Sequence, residues 1–159
     1  MKYKNLIDNM TLEEKASLCV GKDTWHTNEI ERLNIPSIMM ADGPNGLRIE
    51  TKNDRIGDLE TPQSKTAVCF PTESTLANSW DEGLVNEVAK AIGNAAKSAG
   101  VNILLGPGVN IKRSPLCGRN FEYFSEDPYL AGKLGIAYVK GVQAVSYTHL
   151  RAHETAANL

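Results

Sequence analysis

Apolar residues along the chain fall into two kinds of run. Between Asp81 and Gly100, the positions Leu84, Val85, Val88, Ala89, Ile92, Ala96 and Ala99 recur with a helical period. Asp81 suits the N-cap of this predicted helix and Gly100 its stop. Leu130, Leu134, Ala137, Tyr138 and Val142 repeat the period after Ser125-Glu126-Asp127-Pro128, whose acidic residues sit at the positive end of a second helix. A shorter helix is predicted from Thr11, where Thr11 and Glu14 have capping-box spacing and Leu12, Ala16 and Cys19 share a stripe. The other kind of run is unbroken: Ile35 to Ala41 in IPSIMMADG, and VNILL before GPG. Each predicts a strand buried on both faces and followed by a loop. The polar stretch from Glu50 to Lys65 predicts a long surface excursion.

The order helix, strand, loop, helix, strand, loop, helix predicts an α/β fold with a parallel sheet and helices packed outside it. Two strands cannot complete such a sheet, and a closed eight-stranded barrel takes about 250 residues. At 159 residues, the chain reads as the N-terminal portion of a (β/α)8 barrel that stops after about two strands and their helices.

Composition narrows the function. Lys and Arg total 17 against 19 Asp and Glu, so there is no basic field to recruit nucleic acid or an anionic membrane. No apolar run approaches the roughly 20 residues of a membrane span, and MKYKNLIDNMTLEEK lacks the apolar core of a signal peptide. Cys19, Cys69 and Cys117 form no close pair and are odd in number. They are expected to be free, buried thiols in a cytoplasmic protein.

Parallel barrels collect their chemistry beyond the C-terminal ends of the strands. There the chain carries MADGPNGLR and LGPGVNIKRSPLCGRNFEYFSEDPYLAG, which place Asp42, Arg48, Arg113, Arg119 and Glu122 on one face. A carboxylate accepts from two vicinal hydroxyls and a guanidinium donates in a rigid fork, so the set suits a sugar. A turn cap at Asp42 with surface ion pairs among the arginines is the alternative. GPGVN lacks the third glycine of a phosphate cradle, and Pro107 removes an amide that the cradle would use. There is no Gly-x-Ser-x-Gly elbow. No cofactor and no metal are expected, although HLRAHE sets His149, His153 and Glu154 at metal-like spacing.

IPSIMMADGPNGLR, FPTESTLANSWD and LLGPGVNIKRSPLCGRNFEYFSEDPYLAG, in this order and spacing, resemble the N-terminal part of glycoside hydrolase family 3, in its β-glucosidase branch. The resemblance runs to about Gln143 and implies a retaining β-glycosidase whose first domain is a (β/α)8-type barrel. It implies that Asp42 grips hydroxyls of the non-reducing terminal sugar, with Arg48 beside it and Arg119 as a second sugar contact. Glu122 and Arg113 are carried over as partners that hold those groups. Trp25, in GKDTWHT, matches a loop near the site mouth, where it either stacks on a sugar or packs in the rim. Asp42-Gly43-Pro44-Asn45-Gly46 differs from the Asp-x-Glu-Gly-Gly pattern of members acting on N-acetylglucosamine, which favours a β-glucoside or related oligosaccharide as partner. Ala95 stands where relatives commonly have Glu.

Retaining hydrolysis needs two carboxyl groups about 5–5.5 Å apart. The resemblance places the family's nucleophile Asp and acid/base Glu further along than this chain reaches. No catalytic residue is therefore expected here, and the chain alone is expected to be inactive. VSYTHLRAHET resembles a translated sequencing adapter, so residues 1–144 are expected to be a partial barrel domain and 145–159 a non-native tail. Alternatives that stay open are a stand-alone sugar-binding module, or a family 3 β-xylosidase or β-N-acetylhexosaminidase parent.

Overall fold

The computed structural model describes residues 3–49 and 64–145. The expected excursion after Glu50 falls mostly outside these residues, as do His149, His153 and Glu154. The described elements are helices α1 (Lys4–Asp8) and α2 (Leu12–Ser17), strand β1 (Met40–Asp42), helices α3 (Glu73–Ala77) and α4 (Glu82–Ser98), strand β2 (Ile103–Leu105) and helix α5 (Pro128–Val145).

β1 and β2 are neighbours in a parallel sheet, with Met40 opposite Ile103, Ala41 opposite Leu104 and Asp42 opposite Leu105. Ala41 and Leu104, at the centre of the pairing, are fully buried. The apolar run from Ile35 forms a shorter strand than expected. Pro36 has no N–H to give a ladder, and the residues beside it pair backwards instead, Ile35 with Ile30 and Met39 with His26. Only the last part of the run reaches β2.

α4 follows its predicted pattern. The Asp81 carboxylate accepts from the N–H groups of Gly83 at 2.8 Å and Leu84 at 3.1 Å, which satisfies donors of the first turn. Val85, Ala89, Ile92 and Ala96 are buried along one stripe, whereas Leu84 at its edge is exposed. At Gly100 the chain leaves the helix with φ +78°, a conformation glycine adopts without a Cβ penalty. α5 is capped by Asp127, whose oxygens accept from Tyr129 and Leu130 N–H.

α4 and α5 pack closely because small residues face one another. Asn86 of α4 donates to the Ala137 carbonyl of α5 at 2.9 Å. A Cβ on Gly141 would lie 2.4 Å from the Asn86 carbonyl oxygen and 2.6 Å from Ala89 Cβ. Tyr138 is buried beneath this contact, edge-on to Phe124 with ring centroids 6.5 Å apart.

The N-terminal arm forms its predicted capped helix with the stripe uncovered. The Thr11–Glu14 capping box is present in both directions, while α2 buries no residue and Leu12 is 77% exposed. Polar contacts hold the arm. Arg32 donates to both Glu14 oxygens, at 3.1 and 2.7 Å, and Asn28 donates to the Ser17 and Val20 carbonyls. The cysteines correct an expectation. All three are free, as expected, but exposed rather than buried, because they lie after a surface helix, in an extended segment and in a surface loop. No described helix is long and apolar enough to cross a membrane.

The helix contact gives a paired prediction. Gly141→Ala should lower stability by about 1–3 kcal/mol, because backbone and Ala89 leave no room for the methyl. Gly132→Ala on the same helix, where a Cβ meets nothing within 4 Å, should raise it by about 0.5–1 kcal/mol. Denaturant midpoints of the two variants, compared with the parent protein, check the opposite signs.

Candidate functional site

Asp42 is the last residue of β1, and the DGPNGLR turn folds back on it. Gly43 and Gly46 have φ +150° and +120°, and Arg48 N–H donates to the Asp42 carbonyl at 2.8 Å. A Cβ on Gly43 would lie 2.2 Å from the Gly46 carbonyl oxygen, so the turn closes only with glycine. Arg48 is thereby set across the turn from Asp42, with its side chain exposed.

The strand register brings the second loop beside the first. Leu105 pairs with Asp42, and the next residue, Gly106, lies against Pro44, where a Cβ would be 3.0 Å from Pro44 Cα. Two residues on, a Cβ at Gly108 would lie 2.0 Å from the Glu122 carbonyl oxygen. The loop after β2 therefore runs between the DGPNG turn and the 3-10 turn Asn120–Glu122.

Arg119 and Glu122 form an ion pair at this edge. The Glu122 carboxylate is mostly covered while the Arg119 guanidinium is 71% exposed, so the arginine is fixed at its base and open at its tip. It lies 5.8 Å from the centroid of the Tyr123 ring. Its pKa is raised, first by the hydrogen bond and charge of Glu122, then by Tyr123, and last by Asp42. Asp42 and Arg119 thus lie within each other's field. Arg113 is exposed and makes no hydrogen bond or ion pair among the described residues; its expected role in holding the other groups has no contact behind it.

Trp25 sits beside β1, its carbonyl accepting from Met40 N–H at 2.7 Å. Asp23 shapes this segment by accepting from the N–H groups of Trp25 and His26, at 2.7 and 2.8 Å, and by contacting His26 Nδ1 at 2.9 Å. These bonds, the Trp25 amide first and the His26 ring next, hold the Asp23 carboxyl below its usual range. The indole Nε1 of Trp25 is buried without a hydrogen-bond partner among the described residues. Ala95 lies partly exposed on α4.

Glu73, at the start of α3, is absent from the sequence-based site but central in the structure. It is 0% exposed. Its Oε1 accepts from Gly108 N–H at 3.0 Å, and its own N–H donates to Asn45 Oδ1 at 3.2 Å. Burial pushes its carboxyl up to about 8; the Gly108 hydrogen bond opposes this and the Glu122 charge adds to it. The adjacent Ser74 accepts from Lys112 Nζ at 2.7 Å and donates to the Asn120 carbonyl at 2.7 Å. A Glu just after a Thr N-cap ordinarily marks an exposed first turn, so FPTES carries no signal of burial.

Among the described residues no group of three His, Cys, Asp or Glu is placed to hold a metal ion. The arrangement offers a carboxylate acceptor and guanidinium donors at the ends of two parallel strands, the hydrogen-bonding partners a polyol needs.

Residues 16–156 match the glycosyl hydrolase family 3 N terminal domain, a match that continues past residue 144. The chain is 57% identical over 141 residues to thermostable beta-glucosidase B of Acetivibrio thermocellus, covering 89% of this chain and 18% of that protein. It is 47% identical over 138 residues to an exo-alpha-(1->6)-L-arabinopyranosidase of Bifidobacterium longum, covering 87% and 18%. The structure of beta-glucosidase 3B from Thermotoga neapolitana in complex with alpha-D-glucose superposes with a TM-score of 0.77 at 39% identity, covering 91% of this chain and 22% of that one. The chain thus spans under a quarter of the length of these relatives, and its α/β fold matches the N-terminal TIM-barrel domain of the β-glucosidases. With this match across most of its length, the chain belongs to glycosyl hydrolase family 3.

Proposed function

We propose that this chain contributes the first two strands of a (β/α)8 barrel, and part of the sugar subsite, to a retaining β-glucosidase that releases terminal β-D-glucose. The observation that carries this reading is the pairing of Asp42 with Leu105, which sets the DGPNG turn and the Arg119–Glu122 pair side by side beyond the strand ends. Asp42 accepts from two sugar hydroxyls, while Arg48 and Arg119 donate to neighbouring ones. Glu122 holds Arg119. Arg113 and Trp25 belong to the outer part of the same site in this reading, Trp25 as an aromatic wall.

The nucleophile and the acid/base are contributed by sequence beyond this chain. The segment therefore binds and orients, and the complete enzyme supplies the pair of carboxyl groups that a retaining mechanism requires. The exposed, unpaired thiols suit a reducing compartment, and a cytoplasmic location is part of the proposal.

A second reading is favoured by the 47% identity to the arabinopyranosidase. An α-L-arabinopyranoside shares the equatorial 2- and 3-hydroxyls of a β-glucoside, but carries its 4-hydroxyl axial and lacks the hydroxymethyl group. In this reading Asp42, Arg48 and Arg119 contact the shared hydroxyls, and the groups that separate the two sugars lie elsewhere in the barrel.

The complete enzyme should hydrolyse an aryl β-D-glucoside with a higher kcat/KM than the matching α-L-arabinopyranoside or β-D-xyloside; the reverse order would favour the second reading. Asp42→Ala should lower kcat/KM at least about 100-fold, since two charge-assisted hydrogen bonds are lost. The 159-residue chain alone should give no turnover, and hydrolysis that co-purifies with it would place the catalytic pair within it.

A further inference from the structure

We infer that Glu73 is a positioning residue for the sugar subsite, its backbone N–H holding the loop after β1 and its buried side chain holding the loop after β2. This inference rests on the substrate reading given above for Asp42 and Arg119 and adds a residue that touches neither sugar nor reacting atoms.

The geometry is a bridge. From one residue at the start of α3, the backbone N–H reaches Asn45 of the first loop and Oε1 reaches Gly108 of the second. The two loops meet directly as well, at Pro44 and Gly106, and no side chain separates them there. Tyr138 of α5 reinforces the first loop by donating to the Pro44 carbonyl at 2.8 Å. The bridge therefore sets how far Asp42, on one loop, stands from Arg119 and Glu122, on the other.

Charge decides which form of the bridge persists. The titratable groups facing Glu73 are Lys112 from the loop after β2, Glu122 from the 3-10 turn and Tyr138 from α5. Lys112 favours the carboxylate, but it is hydrogen-bonded to Ser74 rather than to Glu73, and Glu122 opposes it. Burial dominates, so the group stays protonated up to about pH 8. A neutral acid keeps Oε1 as the acceptor for Gly108 and holds its proton on Oε2, which is buried and without a partner among the described residues. Ionisation would leave a desolvated anion beside Glu122, a cost that a stronger Gly108 hydrogen bond offsets only in part, and relief comes from admitting water to the carboxylate, which loosens the packing between the two loops.

The sign of the linkage follows. The folded pKa is raised above its ordinary 4.5 to about 8, so the contribution to stability is complete below 4.5 and is lost progressively as pH rises to about 8. Glu73→Gln has the shape and hydrogen-bonding capacity of the neutral acid and cannot ionise.

In the complete enzyme, the wild-type KM for an aryl β-D-glucoside should rise about fivefold or more between about pH 6 and pH 9, as water drawn to the ionised carboxylate loosens the two loops, with kcat changing less. Glu73→Gln should keep the wild-type KM near pH 6 and show no such alkaline rise. Glu73→Ala should have a raised KM at every pH. An alkaline rise in Glu73→Gln equal to that of wild type, or a folded Glu73→Ala with wild-type KM, overturns the inference. Where Glu73→Ala does not fold, the isosteric variant decides. The thermal midpoint read from about pH 4.5 to 8 gives an activity-free measure: wild type should lose ground to Glu73→Gln across this range, and parallel curves overturn the inference. If the wild-type enzyme cleaves none of the three aryl glycosides, the substrate reading has failed, and the thermal comparison still decides the state of Glu73.

Discussion

The loop that follows β2 passes through a gap with no room for a side chain. Pro44 stands on one side of it at Gly106 and the Glu122 carbonyl on the other at Gly108. Contact of this kind fixes relative position more firmly than contact between long side chains, because backbone atoms have no rotamers through which to yield. The distance between Asp42 and the Arg119–Glu122 pair depends on it. So does the parallel register, since a slip of one residue between β1 and β2 would bring a bulky Leu105 or Pro107 to the place where only Gly106 fits.

Backbone packed this tightly carries polar groups that water cannot reach, and they must be satisfied from within the protein. Gly108 N–H is taken by Glu73 and the Pro44 carbonyl by Tyr138, each side chain arriving from a different helix. The α4–α5 contact at Gly141 and Ala89 is what carries Tyr138 to that depth. Packing of the outer helices is in this way connected to the position of the loops after β1 and β2 through two buried polar side chains, not through the sheet alone.

The elements that were legible in the sequence are those whose pattern is local. Asp81 and Asp127 cap helices that their own following residues define, and Gly100 ends one because no other residue takes its φ so readily. Asp42, Arg48, Arg113, Arg119 and Glu122 stand out as charged residues in Gly-Pro loops after apolar strands, and only the family resemblance favoured a sugar site over surface ion pairs among them. Burial was less legible. The stripe on α2 has the periodicity of a packed helix, yet Leu12 is exposed, because periodicity reports which face is apolar and not whether anything covers it. The cysteines failed the same way, and Glu73 failed in the opposite sense: a helix-start acid looks solvent-facing until the loop at Gly108, 35 residues on, is laid over it.

The charge balance of the site bears on what it holds. Glu122 is mostly covered and paired with Arg119, while Arg48, Arg113 and the tip of Arg119 are exposed. A cationic ligand would face these guanidinium groups. A neutral polyol takes the open tip of Arg119 as a donor and Asp42 as an acceptor while leaving the ion pair intact. A negative charge at Glu73, buried beside Glu122, would add repulsion beneath this pair, and the neutral form inferred for Glu73 removes it.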